Sequence, residues 1–99
     1  LGSDTGGSIR LPSFANGITG LKPSWGRVSR AGVFALAWSF DHVGPMARSA
    51  ADCGAILNAI AGADPADPTA LQAPVPDYLY KLDGDLRGMR VGLDAEWAA

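Results

Sequence analysis

One cysteine, one histidine and eight basic residues are all that this 99-residue chain holds of three chemically telling classes. The lone Cys53 excludes a disulfide within the chain and makes a reducing compartment, the cytoplasm, the expected setting. It falls on the apolar side of an expected helix, where a free thiol packs as a small hydrophobe. With one histidine, one cysteine and scattered carboxylates, no metal-ligand spacing exists, and no metal or cofactor is called for. Eight scattered Lys and Arg against ten Asp and Glu leave a net charge of −2, which argues against a basic face for nucleic acid. No run is long and apolar enough for a bilayer, so no membrane role is expected.

What is there suits a folded protein: 47% hydrophobic residues, 18% charged and 13 glycines, in a length that allows one small domain at most. Residues 9–17 can form a short helix, with Pro12 tolerated in the first turn and Gly17 as its stop. Residues 18–23 read as a short extended segment halted by Pro23. Residues 25–40, rich in glycine, serine and aromatics, read as loop with short strands. The clearest element spans 49–61. Ser49 caps it, Asp52 stands where it completes a capping box, and Cys53, Ile56, Leu57 and Ile60 share one face. Gly62 ends it. Two proline-rich stretches, "ADPADPTA" and "APVPDY", form a surface connection, and residues 89–93 look like a strand. This order predicts an α/β layer. The chain opens without Met and closes where that strand has only begun, so it is expected to be an internal piece of a larger protein.

The opening stretch "GSDTGGSIR" raises the functional question. A nucleophilic serine needs an exposed oxygen and backbone N–H groups aimed at the oxyanion that develops during attack. Glycines let the backbone come close and adopt dihedrals other residues avoid. A helix beginning just after Ser8 adds partial positive charge. A glycine turn leading into a helix also serves as a phosphate cradle or as a plain tight turn. The GxxxxGK[ST] and GxGxxG spacings of common nucleotide loops are absent.

The longer context is specific. "GSDTGGSIRLPSFANGITGLKPSWGRVSR", continued by "SFDHVGPMARSAADCGAILNAIAGADPADPTA" and more faintly by "LRGMRVGL", resembles the amidase signature family. The resemblance implies an α/β/α layered fold with a mixed central sheet, incomplete here, with residues 1–99 forming part of one amidase domain. It also implies hydrolysis of carboxylic amides through a Ser–cis-Ser–Lys triad. On that pattern Ser8 falls on the nucleophile, and the backbone of Thr5, Gly6, Gly7 and Ser8 falls on the oxyanion hole. Ser3 and Asp4 fall on supporting polar positions. Asp4 and Arg10 are expected to pair across the turn and hold it rigid. The family's lysine and middle serine belong upstream of this motif; Lys22, in "GLKP", matches a different position and does not replace them.

Other residues admit two readings. Asp41 and His42 invite a Ser-His-Asp triad, but neighbours on an extended chain point to opposite faces and do not naturally orient each other. The family resemblance at "SFDHVGP" implies that Asp41 and Gly44-Pro45 are the recurrent part and that His42 is a boundary or surface residue. Trp25, Phe34, Trp38 and Phe40 either line an acyl pocket or, as the preferred reading, pack in the core. Arg27, Arg30 and Arg48 either bind a substrate carboxylate or form structural pairs. Three functions stay open: an amidase acting on a small-molecule amide, alone or as a homo-oligomer; the glutaminase subunit of a tRNA-dependent amidotransferase with partner subunits; and a non-catalytic anion-binding or interaction module. An exposed Ser8 favours the first two, and a buried, helix-capping Ser8 the third. With half of the triad outside these residues, the chain by itself is expected to be inactive.

Overall fold

The computed structural model describes residues 1–80, 82 and 84–97. The element order is β1 (Gly2–Asp4), α1 (Arg10–Ala15), β2 (Thr19–Gly20), β3 (His42–Gly44), β4 (Met46–Ala47) and α2 (Ala50–Ile60). Helix and strand are mixed, as expected of an α/β piece, and both ladders are antiparallel. β1 pairs with β3, placing Gly2 opposite Gly44, Ser3 opposite Val43 and Asp4 opposite His42. β2 pairs with β4, placing Thr19 opposite Ala47 and Gly20 opposite Met46. Between β3 and β4 sits buried Pro45, which has no N–H to give a ladder. Its carbonyl accepts the Leu21 N–H at 3.0 Å, so the chain changes partner strand at the proline.

Ile9, fully buried, joins the turn after β1 to this pair of ladders. A Cβ on Gly2 would stand 3.3 Å from Ile9 Cγ1, and one on Gly44 3.1 Å from Ile9 Cδ1. These glycines are cross-strand partners, and the isoleucine shares the space of their missing side chains with Met46 on the Gly2 side and with Pro23 and the Leu21 carbonyl on the Gly44 side. Burying such a side chain contributes about 1.5–3 kcal/mol.

α1 forms where expected. Pro12 lies in its first turn, and Gly17, at φ +63°, closes a Schellman end in which Ile18 N–H reaches Ser13 O at 3.0 Å and Gly17 N–H reaches Phe14 O at 3.2 Å. α2 is also as expected. Ser49 Oγ accepts the Asp52 N–H at 3.1 Å. Among the described residues the Asp52 carboxylate does not accept the Ser49 N–H in return, so the capping box is half made. Cys53 and Leu57 are buried, with Ile56 and Ile60 half-buried beside them. The Cys53 thiol lies against the carbonyls of Thr19 and Pro45, and burial raises its pKa, which keeps it protonated and in the core. Gly54 is buried as well, because the Tyr78 backbone and the Leu79 side chain press against it; a Cβ there would stand 3.2 Å from each.

Residues 62–80 wrap back over this frame. Leu71 N–H reaches Gly26 O at 2.8 Å, and Asn58 Oδ1 accepts the Tyr78 N–H at 2.9 Å. Residues 89–93 do not form the expected strand. Met89, Val91 and Leu93 are 64%, 84% and 80% exposed, and among the described residues no neighbouring strand lies beside them to complete a ladder. A period-two pattern becomes a strand only when its N–H and C=O groups find a partner.

Candidate active site

The turn 5–8 is held from both sides by carboxylates. Asp4, at the end of β1, is fully buried. Its Oδ2 accepts the backbone N–H groups of Ile9 and Arg10, at 3.1 and 3.3 Å, and Arg10 Nε at 3.1 Å. Its Oδ1 accepts Arg10 Nη2 at 3.1 Å. The expected pairing across the turn is therefore made, and it does more than pair charges. Ile9 is the N-cap of α1 and has no side chain able to cap, so Asp4 satisfies the helix's first donors from five residues upstream. The Arg10 guanidinium, opposed by burial and helped by the two backbone donors, pulls the Asp4 carboxyl down to about 2.

Within the loop so closed, Ser8 is exposed. Gly7 has φ +140°, a region that favours glycine, and its carbonyl accepts the Leu11 N–H at 2.7 Å. Nothing lies within 4 Å of where a Gly6 Cβ would be. Among the described residues, the N–H groups of Gly6, Gly7 and Ser8 donate to no protein acceptor, and the Ser8 hydroxyl neither caps α1 nor bonds elsewhere. Ser3 lies in mid-β1 with an exposed side chain that makes no hydrogen bond among the described residues.

The second carboxylate was not expected in this role. The Thr5 hydroxyl donates to Asp41 Oδ1. Asp41 Oδ2 also accepts the Leu36 N–H at 2.9 Å, and both its oxygens accept the Ala37 N–H at 3.1 Å. The Thr5 hydroxyl is the main cause of a lowered Asp41 pKa. Asp41 thus has no acceptor aimed at His42, whose Nδ1 donates to Phe40 O at 2.6 Å. The two do not form a catalytic pair. Lys22 lies in a cleft shared with Arg27, Leu57 and Tyr78, which none of residues 3–10 lines.

The aromatic residues depart from the expectation of core packing. Phe34 is 99% exposed, Phe40 63% and Trp38 58%. Trp25 and Trp38 instead flank Arg30, with ring centroids 4.7 and 4.8 Å from its guanidinium carbon. Arg30 is buried. It donates to the Trp38 carbonyl and the Thr69 hydroxyl, and its Nε stands 3.8 Å from Asp67 Oδ2. It is a structural node, as is Arg27, which holds the carbonyls of Ala73 and Pro74. Arg48 is exposed. Among the described residues no group of His, Cys, Asp and Glu could hold a metal, and no helix is long and apolar enough to cross a membrane.

The turn can therefore present a serine oxygen beside backbone donors that no described residue takes, on a support held by buried Asp4, whose partner Arg10 is 54% exposed. Comparison with known proteins then decides the family: the family model "Amidase" matches residues 1–98. This chain belongs to the amidase family. Across 98% of its length it is 59% identical to the A subunit of the glutamyl-tRNA(Gln) amidotransferase of Roseiflexus sp. (strain RS-1), and 55% identical to the same subunit of Pelobacter propionicus. It spans about a fifth of the length of these relatives. Among solved structures, it superposes over 90% of its length, with TM-score 0.85 and 38% identity, on an inhibitor-bound chain described as part of a vestigial protein complex that reveals the evolutionary origins of an s-triazine catabolic enzyme, and the match takes in 20% of that chain. The A subunit of Thermotoga maritima glutamyl-tRNA(Gln) amidotransferase matches 75% of the chain with TM-score 0.73 and 42% identity, and the match takes in 16% of that subunit. The amidase match covers the turn, both of its carboxylate supports and α2.

Proposed function

We propose that this chain carries the nucleophile and oxyanion hole of an enzyme that cleaves a carboxylic amide C–N bond. It would sit within a longer cytoplasmic protein, as part of a single α/β/α domain with a mixed central sheet. The observation that carries the reading is the exposed Ser8 on a turn whose Gly6, Gly7 and Ser8 N–H groups meet no acceptor among the described residues, between buried Asp4 and Ile9.

In this mechanism Ser8 Oγ attacks the amide carbon. Its proton passes through a serine to a neutral lysine, both supplied by the remainder of the longer protein on the family pattern. The carbonyl oxygen becomes an oxyanion held by the N–H groups of Thr5, Gly6, Gly7 and Ser8. Losing one such donor typically costs about a hundred- to a thousandfold in rate. The C–N bond then breaks, the nitrogen takes the proton and leaves as ammonia or amine, and water releases the acyl group from Ser8. Asp4 and Arg10 keep the turn from relaxing as charge develops, and Ser3 lies beside them on β1.

A second reading makes the parent protein the glutaminase subunit of a tRNA-dependent amidotransferase, passing ammonia to partner subunits. The 59% identity to an amidotransferase subunit favours it. The two readings separate on substrate and partner: purify the longer protein and measure ammonia release from glutamine and from simple amides, with and without co-purifying subunits. Under either reading Ser8→Ala abolishes turnover, by at least about a thousandfold. Turnover that survives this substitution would return the turn to a non-catalytic anion-binding or interaction role. The 99 residues alone should show no turnover.

A further inference from the structure

Asp41 and Thr5 lie 36 positions apart, and the β1–β3 ladder, which sets Asp4 opposite His42, brings them face to face just beyond its last pair. The Asp41 carboxylate binds three donors at once: the Thr5 hydroxyl at the start of the Ser8 turn, and the backbone N–H groups of Leu36 and Ala37. Residues 36–40 therefore leave from the same carboxylate that holds the turn. The loop closes on itself, with the Phe40 and Asp41 N–H groups both reaching Ala37 O at 2.9 Å. It presents Leu36, Trp38 and Phe40 to the outside, 81%, 58% and 63% exposed. Arg30 grips it from behind by the Trp38 carbonyl and ring. A small cleft lined by Val33, Ala35, Trp38, Asp41 and Val43 lies between loop and strands.

We infer that Asp41 is a positioning residue for the Ser8 reaction, fixing Thr5, and with it the first backbone donor of the turn, against the apolar 36–40 loop. The inference rests on Ser8 being the nucleophile. Asp41 touches no reacting atom. It acts through the Thr5 hydroxyl, which ties the residue carrying the first proposed oxyanion N–H to a side chain on the far side of the site. The same carboxylate keeps the loop's apolar side chains at a constant distance from that N–H, so the loop and the turn form one preorganised unit.

The test uses the longer protein and a fluorophosphonate probe, which forms an Oγ–P bond at an activated serine with loss of fluoride. Thr5→Val deletes the hydroxyl and keeps the shape, Thr5→Ser restores it, and Asp41→Asn weakens the carboxylate's hold on all three donors. Ser29→Ala removes a hydrogen bond to Asp64 elsewhere in the fold and serves as the structural control. Thr5→Val and Asp41→Asn are expected to slow the maximal labelling rate of Ser8 at least about tenfold, a fraction of what loss of an oxyanion donor itself costs. Thr5→Ser should recover most of the rate that Thr5→Val loses, Ser29→Ala should label at close to the unaltered rate, and the probe's saturation constant should move less than about threefold throughout. Equal rates for Thr5→Val and the unaltered protein would overturn the inference while leaving the nucleophile in place. Absence of labelling at Ser8 in the unaltered protein would overturn both. Should Asp41→Asn fail to fold, the contrast between Thr5→Val and Thr5→Ser decides alone.

Discussion

Two aspartate-arginine pairs stand at opposite ends of this chain. Asp85 and Arg87 approach more closely, at 2.7 Å, than Asp4 and Arg10, at 3.1 Å. By distance the first pair is the better bond. By consequence it is the lesser one. The Arg87 side chain is 90% exposed and that of Asp85 45%, so water competes for both charges, and the pair spans two residues of an open segment. Asp4 is fully buried, and its carboxylate also satisfies two backbone donors at the start of α1. Removing an exposed partner leaves its counterpart in contact with water; removing Asp4 strands the Ile9 N–H, which is buried, although Arg10 itself is 54% exposed. The surroundings of the charge, rather than the length of the contact, set its structural value.

That contrast can be broken most forcefully at Asp4. Asp4→Ala in the longer protein is expected to cost roughly 2–4 kcal/mol, read from urea unfolding, because Ile9 and Arg10 N–H lose their acceptor. A cost below about 0.5 kcal/mol would show that the two pairs are equivalent. Protonation is the milder form of the same change. The folded Asp4 carboxyl titrates at about 2 against an ordinary 3.8, so its contribution is complete above pH 3.8 and lost as the pH falls from there toward 2. Urea midpoints measured down that range should fall more steeply for the unaltered protein than for Asp4→Asn. Gly7→Ala comes next: at φ +140° a side chain is strained, and its Cβ would stand 2.9 Å from Leu11 Cδ1, which predicts a loss of about 1–2 kcal/mol together with a lower rate of amide cleavage. The smallest effect belongs to the other pair. Arg87→Ala should leave the urea midpoint essentially where it was, and a clear fall would mean that this segment is packed against something in the longer protein.

Much of the site was legible before the structure because its logic is local. The pairing of Asp4 with Arg10, the helix after Ser8, Pro12 in its first turn and the stop at Gly17 all depend on residues within a few positions of one another. So do Ser49 as a cap and Cys53 with Leu57 as the inner face of α2. What was missed depends on distant partners. Asp41 stood out in "SFDHVGP", but nothing along the chain says that it receives the Thr5 hydroxyl; the pairing of β1 with β3 puts Asp4 opposite His42 and brings their neighbours together. Gly54 has no reason to differ from Ala55 until the Tyr78 backbone is laid across it. The aromatics Phe34, Trp38 and Phe40 suggested core, and the structure turns all three outward, with Trp38 and Trp25 flanking a buried arginine.

The sequence by itself determined the glycine turn, the serine at its tip, the carboxylate and guanidinium that close it, and the two helices, since each follows from dihedral freedom, capping and periodicity over short spans. Only the tertiary structure decided which donors Asp41 serves, where Arg30 is buried and that residues 89–93 find no ladder among the described residues. Those outcomes require groups far apart in the chain to exchange water for one another, and that exchange depends on the three-dimensional arrangement of the whole fold.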